Sequence, residues 1–238
     1  MKHDMLSLIA GLSFLPLGVA SAAPMVELFT SQGCYSCPPA DEHLVELIEK
    51  NPDLVALEFH VDYWDDLNYG AAGTWKDPFS KAAYTQRQRQ YNSYPLEGRK
   101  GVYTPQMVVN GTTAQVGSTR SAVRRALDVG VPPLELTAVQ QDQKIEVNIS
   151  GDYEAKALVW LAVFDKEHVT EVTHGENHGK TMRNHHVVRE LTPIADWRNG
   201  GGSTSVDAPA ALSNSNTSCA IFVQDRNNGK ILGATYCS

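Results

Sequence analysis

Residues 26–50, VELFTSQGCYSCPPADEHLVELIEK, determine how the rest of the chain is interpreted. The apolar run Val26–Phe29 predicts a strand, and apolar residues between positions 44 and 48 recur at helical spacing. Cys34-Tyr35-Ser36-Cys37 lies between them, which places a thiol at a helix N-terminus, where unpaired N–H groups and the helix dipole favour the thiolate. A thiolate attacks disulfides and binds soft metals, which a neutral thiol does poorly.

Composition limits the classes of function. The chain has 238 residues, of which 42% are hydrophobic, enough for a sizeable core in one or two domains. Its net charge of −7 argues against nucleic acid as a partner, because phosphate contacts need clustered Lys and Arg. No run after the N-terminal segment approaches the roughly 18 apolar residues of a membrane helix. We therefore expect no nucleic-acid partner and no membrane span in the mature protein.

The N-terminus has the pattern of a secretory signal peptide, predicted to span residues 1–22. Lys2 precedes the apolar run Leu6–Ala20, and Ala20-Ser21-Ala22 is a small-x-small cleavage pattern. The alternative is a membrane anchor that stays in place, although the run is short for a span. Cleavage predicts a soluble mature protein, periplasmic or secreted, in an oxidising compartment.

The two C-terminal cysteines are predicted to form a structural disulfide. Two strand-like runs flank Arg226-Asn227-Asn228-Gly229, which is a turn signal. A three-residue loop there would pair Arg226 with Lys230. In that register Cys219 lies directly opposite Cys237, at a distance that a disulfide bridges. Free or metal-bound thiols are the alternative.

The chain between the first helix and residue 131 predicts further strands and helices. A continuous apolar run over residues 54–61 predicts a buried parallel strand. Residues 62–100 are polar, aromatic and turn-rich, and are interpreted as a helical insertion whose helix begins at Asp77-Pro78. Aromatic residues of the insertion are expected to border an apolar groove: Trp64, Trp75, Tyr84 and Tyr91. Three elements follow in order: a strand at 106–109, a strand at 112–116 joined to it by the hairpin signal Asn110-Gly111, and a helix at 119–129.

Residues 134–238 have a different pattern. Six strand-like runs, several strictly alternating, are separated by Gly, Asn and Asp clusters. Without a helical pattern, they predict a small antiparallel β-sandwich closed by the Cys219–Cys237 disulfide. The stretch Arg198–Asn216, rich in Gly, Ser, Asn and Ala, predicts a long mobile loop. Two domains are thus expected, residues 24–131 and 134–238.

The element order over residues 24–131 resembles the thioredoxin fold. The matching residues are Cys34-x-x-Cys37 after the first strand and Thr104-Pro105 directly before the third. More narrowly, FTSQGCYSCPPAD (29–41) and VYTPQMVVNG (102–111) resemble a family of secreted bacterial thioredoxin-like proteins whose function is not established. The predicted fold is an α/β thioredoxin-like domain with a helical insertion, followed by the all-β, sandwich-like domain. The resemblance also implies that the Thr104–Pro105 bond is cis and that its backbone pairs with an extended substrate beside the disulfide.

The chain departs from thioredoxins near the motif. The buried acid that thioredoxins place six residues before the first cysteine is Leu28, and Glu27 lies one position away. A one-residue shift points a strand side chain to the opposite face, so Glu27 is a proton acceptor only if the turn carries an extra residue. Because Pro38 and Pro39 fit only the first helical turn, the helix is expected to begin near Ser36.

The histidines and acidic residues outside the motif predict no metal site. Zinc and copper sites need three or four convergent ligands. The adjacent His185 and His186 would point to opposite faces of a strand. Five histidines, with Glu176 among them, are interpreted as ordinary residues of a surface loop: His168, His174, His178, His185 and His186. The acidic group Asp62, Asp65 and Asp66 is interpreted as a solvated turn.

Three functions are open from the sequence. In thiol–disulfide exchange with protein or small thiols and a redox partner protein, Cys34, nearer the helix start and less buried, attacks, and Cys37 resolves the mixed disulfide. Thr104 and Pro105 then hold the substrate, and no cofactor is expected. In Cu(I) handling, the two thiols are soft ligands with a third from His60 or a partner. In a non-enzymatic binding module, the Cys34–Cys37 disulfide is static and the β domain binds.

Overall fold

The structure, a computed structural model, describes residues 22–130 and 132–238, so the predicted signal peptide, residues 1–22, lies outside the described residues except for Ala22. The elements up to residue 130 are β1 (Met25–Thr30), α1 (Pro38–Lys50), β2 (Val55–His60), α2 (Ala82–Ser93), β3 (Glu97–Gly98), β4 (Gln106–Val109), β5 (Thr113–Val116) and α3 (Arg120–Leu127). From residue 132 onward they are β6 (Glu135–Gln141), β7 (Lys144–Ser150), β8 (Ala157–Glu171), β9 (Thr181–Trp197), β10 (Gly202–Asp207), β11 (Thr217–Asp225) and β12 (Ile231–Tyr236). Within these described ranges, no helix has both the length and the apolar character that crossing a membrane requires.

The strands form two sheets. The larger sheet has nine strands in the order β12-β11-β8-β9-β2-β1-β4-β5-β3, and the smaller has three in the order β10-β7-β6. β1 pairs in parallel with β2 and antiparallel with β4. β2 and β9 pair in parallel at Glu58 and Val187, which joins strands of both halves of the chain in one sheet. The division into domains 24–131 and 134–238 stays a prediction, as does the thioredoxin-like fold class.

Helices cover both faces of the sheet at β1, and all residues of this strand except Glu27 and Thr30 are apolar. All six of its residues are buried. On one face, Val26 and Leu28 pack in a cluster with Leu44 of α1 and Val123 of α3. Phe29 points to the other face, where α2 covers it. Since strand side chains alternate, this pattern places β1 between two helical layers and brings its C-terminal end to the start of α1.

The predicted start of the insertion helix is wrong, because α2 begins at Ala82 rather than at Asp77. Asp77 begins a turn, in which Ser80 N–H bonds to the Asp77 carbonyl at 3.3 Å. Lys81 is then extended, since its N–H bonds to the carbonyl of His60 at 3.1 Å. The contact with β2 therefore delays the helix by one turn.

The hairpin at Asn110-Gly111 is confirmed. β4 and β5 pair antiparallel, with Val109 opposite Thr113. Asn110 and Gly111 have positive φ angles of 48° and 67°, as the central residues of a type I′ turn require. The helix predicted for residues 119–129 is present as α3, which is shorter by one residue at its start and two at its end.

The predicted mobile loop over Arg198–Asn216 is wrong, because that segment contains β10 and a short 3-10 helix. β10 pairs antiparallel with β7, from Gly202 opposite Ile149 to Asp207 opposite Lys144. Backbone hydrogen bonds to β7 stabilise this strand although its sequence, GSTSVD, is polar. The polar composition therefore predicted a loop where the structure has an edge strand.

The smaller sheet packs against β8, β11 and β12. Alternation in β7 points Ile145, Val147 and Ile149 inward, and all three are buried. The cluster that they join also contains Leu134, Leu136, Ala138, Val159, Leu161, Val163, Trp197, Ile221, Val223 and Leu232. This second core is distinct from the one around β1.

The predicted Cys219–Cys237 disulfide is confirmed, with Cα atoms 5.3 Å apart. The turn differs in detail, because Asp225 rather than Arg226 lies opposite Lys230, and Asp225 N–H bonds to the Lys230 carbonyl at 2.9 Å. A bulge in the β11–β12 ladder restores the predicted register before the cysteines are reached.

Replacing Cys219 and Cys237 together by alanine is expected to lower the free energy of unfolding by about 3 kcal/mol, because the crosslink closes a loop between residues 18 positions apart. Urea unfolding followed by circular dichroism measures the change, with Cys34–Cys37 left intact. The slope against urea should rise as well, since the unfolded chain exposes more surface without the crosslink. An unchanged urea midpoint would contradict a stabilising role for this disulfide.

Candidate functional site

The Cys34–Cys37 disulfide lies in the turn that connects β1 to α1. The two cysteines are bonded, and their Cα atoms are 5.4 Å apart. Cys34 N–H bonds to the Ser31 carbonyl and Cys37 N–H to the Cys34 carbonyl, each at 3.1 Å, so the turn is tight. α1 begins at Pro38 rather than near Ser36, because two prolines without N–H groups occupy its first two positions. Cys37 is therefore the residue that immediately precedes the helix.

The structure brings Thr104 to this disulfide. Thr104 Oγ1 donates to Cys34 Sγ at 3.3 Å and accepts from Trp64 Nε1 at 2.9 Å. The Thr104–Pro105 peptide bond is cis, as the resemblance implied. Pro105 directly precedes β4, the neighbour of β1, which explains why this segment reaches the cysteine turn.

Two of the four aromatic residues expected at a groove lie in the core instead. Tyr84 and Tyr91 are buried on the α2 side of the sheet, where their rings contact Phe59 and Phe29 respectively. Trp64 alone of the four is hydrogen-bonded to a residue that contacts the disulfide. Only the part of the insertion that precedes α2 therefore contributes to the site.

Both cysteines are fully buried, so the prediction that Cys34 is less buried than Cys37 is wrong. On one side of the turn, Trp64 lies against the backbone of Gly33, with its Cβ 3.1 Å from where a glycine Cβ would be. On the other side lies a segment between β8 and β9, residues 172–180, which we name the cap loop. Contacts from distant parts of the chain thus bury the two cysteines, whereas Tyr35 and Ser36 between them are exposed.

The cap loop is hydrogen-bonded to the cysteine turn. Asn177 Nδ2 donates to the carbonyl oxygens of Gln32, at 2.8 Å, and Cys34, at 2.9 Å. Glu176 Oε2 accepts from the Tyr35 N–H at 2.9 Å. Sequence reasoning missed Asn177, and no local signal marks it, because its partners lie more than 140 residues away.

A group of buried charged residues lies behind the cysteine turn. His60 Nδ1 is 2.7 Å from Asp77 Oδ2, and His60 Nε2 is 3.1 Å from Glu58 Oε1. Burial alone would lower the pKa of His60, but the two carboxylates outweigh it and raise that pKa to about 10. Burial likewise opposes ionisation of Asp77, yet the His60 charge holds the pKa of Asp77 below its ordinary value. At neutral pH the group therefore contains an imidazolium between two carboxylates.

This charged group reaches the cysteine turn through Gln32. Asp77 Oδ2 accepts from the Gln32 N–H at 2.7 Å, and Gln32 Nε2 donates to Asn184 Oδ1 at 2.9 Å. Asn184 Nδ2 donates to Glu58 Oε1 at 2.7 Å, and the His185 N–H donates to Glu58 Oε2 at 2.9 Å. The network thus links β2, β9 and the cysteine turn.

Asp41 is a further buried acid, one turn of α1 after Cys37. Its N–H bonds to the Cys37 carbonyl at 3.1 Å, and residues four apart share a helix face. Oδ1 accepts from Thr30 Oγ1 at 2.7 Å, whereas Oδ2 has no hydrogen-bond partner within residues 22–130 and 132–238. Burial raises the pKa of Asp41 well above its ordinary value, and the charge of Glu58 raises it further. Asp41 also lines a surface cavity of about 430 Å³ beside Lys180.

The structure does not bring Glu27 to the disulfide. Glu27 lies on the face of β1 opposite Leu28, and its carboxylate accepts from Arg87 Nε at 2.5 Å and from the Tyr91 hydroxyl. Arg87 is itself buried, and its Nη1 donates to Gln224 Oε1 at 3.1 Å. These contacts form a buried ion pair, while the role of proton acceptor stays a prediction for Glu27.

The histidines do not lie together in a surface loop. Only two of the five belong to the cap loop, His174 and His178, whereas His168 lies in β8 and His185 and His186 lie in β9. Among the described residues, no group of three or more His, Cys, Asp or Glu side chains is arranged to hold a metal ion. His60, the suggested third ligand for Cu(I), has a carboxylate at each ring nitrogen.

The acidic group of the insertion is not a solvated turn throughout. Asp65 is buried and accepts from the Ser80 hydroxyl at 2.6 Å and from the Asp77 N–H at 3.3 Å. Burial raises the pKa of Asp65 above its ordinary value. The turn is therefore part of the packed structure that positions Asp77.

Fold and site together define a mostly β protein, with a mixed sheet and three α-helices within the described residues, in which a buried Cys-x-x-Cys disulfide lies at the N-terminus of a helix, beneath a loop from the second half of the chain. The chain belongs to the family described as "Protein of unknown function (DUF1223)", which matches residues 25–224. No curated protein matches the sequence.

Among the solved structures is one that is similar over most of the length of both chains. The crystal structure of a structural-genomics target protein from Agrobacterium tumefaciens has a TM-score of 0.75 and 31% sequence identity, and the match covers 90% of this chain and 92% of that chain. A domain of the outer membrane lipoprotein Omp28 from Porphyromonas gingivalis matches over 46% of this chain and 89% of that chain, at 18% identity. Its TM-score of 0.27 does not establish a common fold.

Replacing His60 by glutamine is expected to lower the free energy of unfolding at pH 6.5 by about 3 kcal/mol, because it leaves Glu58 and Asp77 buried without a cation. The folded-state pKa of His60, about 10, lies above its ordinary value. Its stabilising contribution is therefore fully present below about pH 6.5 and is lost as the pH rises through about 10. Urea unfolding of both proteins between pH 6.5 and 10 should show their difference narrowing as the pH rises.

The matched control is His178→Gln, an exposed histidine of the cap loop, which should leave the urea midpoint unchanged at every pH. A difference between wild type and His60→Gln that stays constant up to pH 10 would show that His60 is not the titrating cation.

Proposed function

We propose that this chain is an exported thioredoxin-fold protein that exchanges thiols and disulfides through Cys34 and Cys37. The observation that carries the proposal is the disulfide at the N-terminus of α1 with the Thr104 hydroxyl on Cys34 Sγ. A hydroxyl donor and a helix N-terminus both favour negative charge on sulfur, as a leaving or attacking thiolate requires.

Location outside the cytoplasm is part of the proposal. The signal-peptide pattern at residues 1–22 supports it, as do the two disulfides, because disulfides persist in oxidising compartments. The substrates are extracytoplasmic proteins or small thiols, and a redox partner protein restores the starting state. No cofactor is invoked, because exchange needs only thiols and disulfides.

The exchange proceeds in two balanced steps. A substrate thiolate attacks Cys34 Sγ, the Cys34–Cys37 bond breaks, and Cys37 leaves as a thiolate. A second substrate thiolate then attacks the substrate sulfur of the mixed disulfide, which releases Cys34 as a thiolate and an oxidised substrate disulfide. The protein gains two electrons and its disulfide passes to the substrate, whereas the reverse sequence reduces a substrate disulfide and re-forms the Cys34–Cys37 bond.

Asp41 is proposed as the proton donor to Cys37 in the first step. It lies one helical turn after Cys37, and its Oδ2 has no other partner among the described residues. Its raised pKa keeps a proton on the carboxyl at a pH where an exposed aspartate has lost it. In the reverse direction the carboxylate takes the proton back.

The surface near the motif supports a polypeptide as one class of substrate. Three large apolar side chains in the segments that form the site are exposed: Tyr35 between the cysteines, Leu67 three residues after Trp64, and Val102 two residues before Thr104. Exposed apolar side chains close to a reactive group are typical of a surface that binds another chain.

A static disulfide in a binding module is the second candidate function. The observation in its favour is that both cysteines are fully buried and that Asn177 holds their turn. A buried structural disulfide resists reduction and serves stability alone.

The redox midpoint of the Cys34–Cys37 pair separates the two candidates. In protein carrying Cys219→Ala and Cys237→Ala, equilibration with glutathione and dithiothreitol buffers is expected to give a midpoint between about −270 and −120 mV, the range of working thiol–disulfide proteins. Alkylation and mass spectrometry measure the reduced fraction. A pair that stays oxidised well below about −300 mV is a structural disulfide, and the exchange proposal then fails.

Replacing Asp41 by asparagine is expected to slow reduction of Cys34–Cys37 by dithiothreitol about tenfold at pH 6, because the leaving Cys37 thiolate loses its proton donor. Asparagine keeps an acceptor for Thr30, so the fold is retained. The wild type loses its advantage as Asp41 deprotonates, so the ratio of the two rates should fall towards one as the pH rises. Glu42→Gln, an exposed acid beside Asp41, is the control that should leave the rate unchanged. A ratio that does not change with pH would rule out the proton-donor role.

A further inference from the structure

The cap loop is a compact unit at the end of the β8–β9 hairpin. The Gly179 N–H bonds to the Val172 carbonyl at 2.8 Å, and the Val172 N–H bonds to the Lys180 carbonyl at 2.9 Å. Its Gly175 N–H also bonds to the Ala72 carbonyl of the insertion at 2.8 Å. Its own backbone hydrogen bonds thus close the loop, and a further bond attaches it to the insertion.

Asn177 is the residue that connects this unit to the cysteine turn. Its side chain is fully buried, and each of its two amide hydrogens bonds to a carbonyl oxygen of the turn, on Gln32 and Cys34. Its Oδ1 accepts from Lys180 Nζ at 2.8 Å, so the amide is held in one orientation. The Lys180 ammonium also lies 4.4 Å from the centre of the Tyr35 ring.

We infer that Asn177 and the cap loop control which thiols reach the Cys34–Cys37 disulfide, an inference that deepens the proposed exchange function. Since neither cysteine is exposed while the cap loop is in place, attack on Cys34 requires the turn to move outward. The bonds from Asn177 and the Glu176–Tyr35 bond oppose this movement. Asn177 is therefore a specificity-determining residue of the site.

The hydrogen bonds that break when the turn moves outward also indicate which substrate can take their place. The Gln32 carbonyl accepts only from Asn177 among the described residues, and the Tyr35 N–H donates only to Glu176. An extended polypeptide presents N–H and C=O groups alternately and replaces both kinds of bond. A small monothiol offers neither, so the cap loop excludes it and admits a cysteine carried by a polypeptide.

The test measures the rate at which Cys34–Cys37 is reduced in the full chain. The thiols are 2-mercaptoethanol and a synthetic peptide with one cysteine in an extended sequence, each at the same thiolate concentration. Either thiol reduces the disulfide in two steps, which form a mixed disulfide at Cys34 and then release the oxidised thiol. Timed alkylation and peptide mapping report Cys34 and Cys37 separately from Cys219 and Cys237.

Two variants remove the donors of Asn177. Asn177→Ala removes the side chain, and Asn177→Asp keeps its shape but sets carboxylate oxygens against the carbonyl oxygens of Gln32 and Cys34. We expect both variants to be reduced by 2-mercaptoethanol roughly tenfold faster than the wild type, and by the peptide less than threefold faster. Asn148→Ala, an exposed asparagine of β7, should leave both rates unchanged.

Rates within twofold of the wild type for both Asn177 variants would overturn the inference, and an equal acceleration with both thiols would overturn its assignment of a polypeptide substrate. If the Asn177 variants do not fold, Glu176→Ala replaces them, because Glu176 is exposed and its loss removes only the bond to Tyr35. That variant should be reduced about threefold faster by 2-mercaptoethanol, and an unchanged rate would likewise overturn the inference. If the midpoint marks the Cys34–Cys37 pair as structural but Asn177→Ala still accelerates its reduction, the cap loop controls access to the disulfide and the proposed exchange function is contradicted.

Discussion

The burial of the Glu58 carboxylate is the constraint on which the rest of the structure depends. A charge inside a sheet is stable only when it is hydrogen-bonded and compensated by an opposite charge. Residues of β2 and β9 meet both needs: His60 supplies the charge, and the Asn184 side chain and the His185 backbone supply hydrogen bonds. Since β2 and β9 are paired only at Glu58 and Val187, these bonds are central to the junction between the two halves of the chain.

The positive charge of His60 also positions the disulfide. The His60 cation holds the Asp77 carboxylate, which in turn accepts from the backbone of Gln32 at the start of the cysteine turn. β9 begins directly after the cap loop, so attaching β9 to β2 also brings Asn177 over that turn. The surroundings of Cys34 are therefore assembled from both halves of the chain, and neither half alone contains all of the groups that bury it.

The sequence was sufficient wherever the deciding interactions are local. The turn at Asn110-Gly111 depends on two residues that follow one another along the chain. The Cys219–Cys237 pair is likewise joined by a hairpin of consecutive strands, although a bulge compensates for a turn that differs from the predicted one. Asp77 shows the limit, because Asp-Pro signals a helix start, yet its carboxylate is used by residues 17 and 45 positions away. In the same way, residues 202–207 have a loop composition and form a strand because β7 lies beside them. Burial of the disulfide belongs with these cases, since the residues that cause it come from distant segments.

Asp41 is an intermediate case, and it bears on how the two cysteines differ. It occupies the buried face of α1 three residues before Leu44, a position where the helical pattern favours an apolar residue, so the sequence does mark it.

Because Cys34 and Cys37 are equally buried, exposure does not distinguish the two cysteines, and any difference between them must come from their polar neighbours. Cys34 Sγ accepts from the Thr104 hydroxyl, whereas Cys37 precedes an acid whose pKa is raised by burial among other carboxylates. Further negative charge is disfavoured there, so after reduction we expect Cys34 to hold the thiolate and Cys37 to hold the proton. In the proposed exchange reaction, these unequal neighbours would give Cys34 the attacking role and Cys37 the resolving role.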